Sequence, residues 1–408
     1  MSEIKTVRIS RRASGGSALA LGLAVLGALM SGSPTDAQST TRIACTQAAF
    51  RTALTAANSA GGGTIVFNCS NTTIPFTTGI GSLENNVIID GEDRNITIEY
   101  TASLSGCVVG DGGGAGGGHE IGEMNGSGNV LRNLTFKNFM ESFQIKGANN
   151  IIEGNTFLGH DCSDDALSNI EAGARNFIVR NNTFVNFHDK AIQSSFGSGL
   201  FEGNTFRNTT QPLRGPYDNS AGGVITIRGN TFTADSTSRC DGVRYDGNYQ
   251  IVFENNNHNN CLRGVRFAGT VQAIVRNNTF TGNPRAGLQL YESARASIAG
   301  NTFQGNTDAG VWVYQTAQAD LGGGSMSING QTVSSTGGNI LKGNGRDLKN
   351  DTSTLVKAER NCWDGTSVSQ ITSQDTSGPV DVDPFSTTCT GGSTPSAPRP
   401  PSNVRVIR

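Results

Sequence analysis

Eight copies of one short motif limit what this chain can fold into. Asn-Thr-Phe begins at Asn155, Asn182, Asn204, Asn230, Asn278 and Asn301, with degenerate copies at Leu134 and Asn256. Successive starts lie 21 to 27 residues apart. A period of this size marks a repeat architecture in which each unit buries its apolar face on its neighbours. Each unit reads as two short β-type runs, such as 176–179 and 191–193, with Asn, Gly and Asp between them and no helical periodicity. Leucine-rich repeats share the period but need Leu at several fixed positions, and those are absent. The pattern therefore predicts an all-β fold: a right-handed parallel β-helix with one coil per repeat. Asn tolerates left-handed backbone and suits a tight corner between strands. Stacked coil on coil, its amides form a ladder, and the Phe two residues on stacks likewise.

The ends of the chain read differently. Residues 1–37 have the form of an export signal: Arg11-Arg12, an apolar run from Ala18 to Met30, and Thr35-Asp36-Ala37 as the cleavage site. That run is too short for a membrane span, and no later segment qualifies. The expected location is bacterial extracellular or periplasmic. A helix over 47–58 is expected to cap the first coil, the β-helix to run over 45–389, and the Pro-rich residues 390–408 to be a disordered tail. Eight cysteines in an exported chain suggest disulfides. Residues nearly one coil apart meet the separation a disulfide needs. On that ground Cys240 pairs with Cys261, Cys45 with Cys69 and Cys362 with Cys389, leaving Cys107 with Cys162 by elimination.

Aligning the second run of each coil gives a column of outward residues: Gln144, Ser168, Gln193, Arg214, Arg244, Arg266, Gln289 and Trp312. The position before each run gives Glu141, Asp165, Lys190, Gln211, Asp241 and Arg263. One exposed face is thus expected to carry acids at its N-terminal side (Asp161, Asp164, Asp165), then bases (Lys190, Arg214, Arg244, Arg263, Arg266), then aromatics (Tyr291, Trp312, Tyr314). Neighbouring Arg side chains at one-coil spacing repel unless an anion lies between them. Guanidiniums flanked by aromatics suit an anionic sugar chain, and clustered acids suit a hard cation. With a net charge of −2 there is no global field for nucleic acid. The expected partner is an anionic polysaccharide, and the protein itself a monomer.

Within 153–215, Asp164-Asp165-Ala166-Leu167, the segment 176–180, Asn186-Phe187-His188-Asp189-Lys190 and Gln211-Pro212-Leu213-Arg214-Gly215 resemble the centre of the family 1 pectate lyases. Ser168-Asn169 and Thr210 stand where that family has a second Asp and an Arg. Beyond this stretch the chain is similar to generic parallel β-helix repeat proteins. The resemblance implies a lyase cleaving a pectate-like uronate polymer by β-elimination. It implies Lys190 and Arg214 as the catalytic pair and Ca²⁺ on Asp161, Asp164 and Asp165. Gln193, Arg244, Arg263, Arg266 and Trp312 are the expected substrate contacts. Two other readings use the same fold: a non-catalytic glycan-binding protein, and a glycoside hydrolase working with two of Asp164, Asp165 and Asp189.

Overall fold

The computed structural model describes residues 38–389 except 103–119, 140, 161–162, 164, 170–172, 195–197 and 216–222. Residues 1–37 and 390–408, where a signal and a tail are expected, and Cys107, Cys162, Asp161 and Asp164 lie outside the described residues. The fold is an all-β right-handed parallel β-helix of about 13 turns. Its described strands form parallel sheets of 14, 12 and 11 strands. Each coil adds one strand to each sheet, as Phe177–Arg180, Thr183–Val185 and Lys190–Ser194 do in one turn. Two runs per unit were expected and three are present. The extra one is the Thr-Phe segment itself, a strand only three residues long and too short to be seen as a run.

The repeat Asn residues make the corner before that strand. The residue ahead of each is left-handed (Asn181 φ 54°, Gly203 φ 63°, Gly229 φ 64°), which reverses the chain. The Oδ1 of Asn182 accepts both the backbone N–H and the side-chain amide of Asn155. The pattern continues through Asn204, Asn230, Asn256, Asn278, Asn301, Asn339 and Asn361. These amides are buried and fully paired, so each coil is keyed to the next. A second, shorter file runs through Asn283, Asn306 and Asn344 at the following corner.

Inside, Phe136, Phe157, Phe184, Phe206 and Phe232 stack at 4.9–5.2 Å. His258 takes the Phe position of the degenerate copy, 4.2 Å from Phe232 and 5.2 Å from Phe280. The solenoid begins ahead of Cys45 with the strand Thr40–Ile43. A helix, α1 (Gln47–Ser59), then caps the first coil by burying Phe50, Ala53, Leu54 and Ala57. The Thr46 hydroxyl caps it by accepting the Ala49 N–H at 3.2 Å. Disulfides join Cys45–Cys69, Cys240–Cys261 and Cys362–Cys389, as expected. Among the described residues no helix is long and apolar enough to cross a membrane.

Candidate functional site: the outward face of the 12-stranded sheet

The column read from the sequence is in register. Gln144, Ser168, Gln193, Arg214, Arg244, Arg266, Gln289 and Trp312 are successive partners across coils. It continues to Lys349, beyond a long insertion that hides it from the sequence period. Gln193, Arg214, Arg244, Arg266 and Trp312 are half-buried, whereas Ser168 and Gln289 are fully covered by their neighbours.

The basic part is a bonded network. Arg244 Nε donates to Asp246 Oδ2 at 2.5 Å, and the Arg266 guanidinium lies 3.7 Å from the other oxygen of that carboxylate. The anion expected between stacked arginines is therefore internal. Asp246 points outward two residues after Arg244, so strand alternation would have found it. Arg263 pairs with Asp241 and donates to Gln289 Oε1 at 3.0 Å. Burial pushes the Asp241 carboxyl up, against the pull of Arg263, Arg266 and Arg285. Arg266 bonds the Tyr291 hydroxyl and lies 4.3 Å over its ring. Tyr291 stacks on Tyr314 at 5.2 Å, and Trp312 lies 5.0 Å from Tyr314. Lys349 Nζ sits 3.9 Å from the Trp312 ring, whose N–H donates to Asp351 at 2.8 Å. The aromatics are thus packed against cations and one another along the helix axis. They hold the guanidiniums still instead of offering open ring faces. Among the described residues, Arg244, Arg263, Arg266 and Lys349 lie within ion-pair distance of Asp241, Asp246, Asp308 and Asp351, and Arg285 lies 5.9 Å from the Trp312 ring.

The acid side departs more from expectation. Lys190 was expected to be exposed and is only 8 % exposed. Its ammonium donates to Asp189 Oδ2 at 2.6 Å and lies 3.5 Å from Asp165 Oδ1. Two carboxylates draw it down into the corner before the strand. Nor does the register bring Lys190 and Arg214 together. Lys190 faces Gln211 and Arg214 faces Gln193, three positions further along the strand, which is roughly 10 Å. Among the described residues no group of three or more His, Cys, Asp or Glu is arranged for a metal ion. Asp165, the described member of the expected calcium set, lies 3.5 Å from the Lys190 ammonium.

On the 14-stranded sheet, a second outward column alternates in sign, a feature the sequence reading missed. Asp90, Arg132, Glu153, Arg180, Glu202, Arg228, Glu254 and Arg276 are successive partners. Their ion pairs include Arg132–Asp90 at 2.7 Å, Arg180–Glu153 at 2.5 Å, Arg228–Glu202 at 2.7 Å and Arg276–Glu254 at 2.6 Å.

Comparison with known proteins bears first on the fold. A family model described as periplasmic copper-binding protein (NosD) matches residues 217–377. No curated protein matches the chain. Among solved structures, the catalytic unit of a thermostable α-1,3-glucanase from Streptomyces thermodiastaticus is 14 % identical, with a TM-score of 0.52 over 85 % of this chain and 68 % of its own. A mannuronan C-5 epimerase A-module from Azotobacter vinelandii is 13 % identical, with a TM-score of 0.46 over 84 % of this chain and 95 % of its own. An alginate lyase from a Paenibacillus species is 12 % identical, with a TM-score of 0.45 over 84 % and 98 %. At 14 % identity the likeness to the glucanase is one of fold.

Proposed function

We propose that this protein works outside the cytoplasm and binds an anionic polysaccharide along the outward face of its 12-stranded sheet. The observation that carries this reading is the run Arg214, Arg244 and Arg266, three guanidiniums on successive coils in one register. A network already held by Asp241, Asp246 and Tyr291 loses little side-chain entropy on binding. The three disulfides fit an exported protein.

Binding without cleavage is favoured over β-elimination by the same geometry. The Lys190 charge is already engaged by Asp165 and Asp189, and Arg214 lies three register positions from it along the strand. The lyase reading, with Ca²⁺ on Asp161, Asp164 and Asp165, would need Asp165 to turn from Lys190 towards the ion. Copper, named in the NosD description, does not fit the matched segment. Copper prefers imidazole and thiolate or thioether ligands. Residues 217–377 hold one His, three Cys and one Met. The His is walled in by Phe rings and all three Cys are in disulfides.

The test is a screen of purified protein on pectate, alginate and neutral glycans, with and without Ca²⁺. Retention on the anionic polymers with no new ends is the expected result. Unsaturated uronate absorbing in the ultraviolet would establish the lyase instead. Retention on neutral glycans alone would refute the reading.

A further inference from the structure

The last coil is closed by a helical turn, Val368–Gln370, running into Ile371–Asp375, which buries Ile371 in the core. The strand Thr376–Ser377 then pairs with Leu348–Asp351 of the coil before. That register sets Asp347, one residue ahead of Leu348, opposite Asp375, and the Asp347 N–H donates to the Asp375 carbonyl at 2.7 Å. Two acids therefore stand one coil apart, Asp347 1 % and Asp375 8 % exposed. Gly264, Gly287 and Gly310 hold this register position on the three preceding coils, so acids enter the column only at its end. The two carboxyls differ in their partners. Asp375 Oδ2 accepts the Gly365 N–H at 2.7 Å. Asp347 Oδ1 accepts the Asn344 amide at 2.7 Å, but its Oδ2 is buried with no hydrogen-bond partner among the described residues. The charged groups that bear on Asp347 are Asp364 and Asp375, both acidic, while the exposed Arg346 bears on Asp375. Burial above all, then these acids, raise the Asp347 carboxyl to about 7 against the Asn344 bond, and burial raises Asp375 as well.

We infer that the Asp347–Asp375 pair is a pH-operated latch on the C-terminal cap, holding residues 364–377 in place while Asp347 is protonated and loosening them once both acids are ionised. Two buried carboxylates on adjacent coils cannot both carry charge without cost. Undocking the cap returns Asp347 to water and removes that cost. A carboxyl that holds its proton more tightly in the closed state makes rising pH favour the open one. The Cys362–Cys389 disulfide brackets the segment, so the cap loosens while staying tied to the solenoid. Ser377, at its end, is the register partner of Lys349, so the latch borders the basic face.

Hydrogen–deuterium exchange of the full-length protein, read by mass spectrometry at about pH 5.5 and about pH 8.5, tests this in wild type, Asp347→Asn and Asp375→Asn. At each pH the intrinsic exchange rates of the cap are common to wild type and Asp347→Asn, so their difference reports structure alone. Wild type is expected to lose protection over 364–377 by about tenfold or more at the higher pH, while the inner strands Val224–Arg228 and Gln250–Glu254 keep theirs. Asp347→Asn, which cannot ionise and keeps an acceptor for Asn344, is expected to hold the cap equally at both. Asp375→Asn, which removes the facing charge, is expected to shrink the wild-type loss. Equal protection of the wild-type cap at both pH values, a loss spread over every coil, or a loss that persists in Asp347→Asn overturns the inference. If Asp347→Asn does not fold, Asp375→Asn decides, and an undiminished loss in it overturns the inference.

Discussion

Two charged columns run along this solenoid and obey opposite rules. On the 14-stranded sheet, Asp90 to Arg276 alternate in sign, and each cation has a carboxylate one coil away. On the 12-stranded sheet, Arg214, Arg244 and Arg266 follow one another with no acid among them in the column. Cross-strand neighbours of opposite sign stabilise a sheet and like charges destabilise it. The alternating column therefore needs nothing from outside. The basic column is instead held by carboxylates placed beside it, Asp246 above all. One arrangement serves the fold and the other costs the fold something, and it is on the second that we propose a ligand binds.

If that contrast is right, the columns should respond differently to loss of an acid. Asp246 is 4 % exposed and serves two guanidiniums. Asp246→Ala should destabilise by about 3–5 kcal/mol, because breaking a buried pair strands the remaining charges. Lys190→Ala, which strands Asp165 and Asp189, should cost a similar amount in urea denaturation. A near-neutral effect of either change would mean that these groups are solvated and the network is not built as described.

The uncharged interior has its own weak coil. His258 is fully buried with neither ring nitrogen bonded, and burial lowers its pKa from 6.5 to about 3. The unfolded chain takes up a proton as pH falls through 6.5, while the folded chain does not until about 3. Stability is therefore complete above 6.5 and drains away towards pH 3. Asp347, pushed up to about 7 by burial, works in the opposite direction, losing stability as pH rises from about 4 to about 7. The His258 contribution is then the difference between wild type and His258→Phe. The variant should gain several kcal/mol over wild type at pH 4 and less at pH 7. Equal pH profiles would mean that the ring is hydrated.

The smallest effect belongs to the alternating column. Glu202→Gln should cost less than about 1 kcal/mol, because the Glu202–Arg228 pair is solvent-exposed and screened. A loss as large as that of Asp246→Ala would erase the contrast between the columns.

The sequence made the fold and the registration legible because both repeat. The Asn amides must recur once per coil, so aligning them aligns the outward column as well, from Gln144 to Trp312. The partners of those residues do not repeat. Asp246 occurs on one coil only, Lys349 follows an insertion containing the hairpin Ser325–Ile328 and Gln331–Ser334, and the burial of Lys190 depends on the rotamers of two acids. The period therefore told which residues lie in line, while pairing across coils decided which of them are free. That is why the expected catalytic pair, Lys190 with Arg214, separates on inspection of the register.

The most direct measurement of the central claim is binding of an anionic polysaccharide to three proteins at two salt concentrations: wild type, Arg214→Gln and Arg228→Gln. Each variant removes one guanidinium, the first from the basic column and the second from the alternating one. The account predicts that Arg214→Gln binds more weakly, with a smaller salt dependence, while Arg228→Gln binds as wild type does. Equal loss in both variants, or none in either, would contradict it.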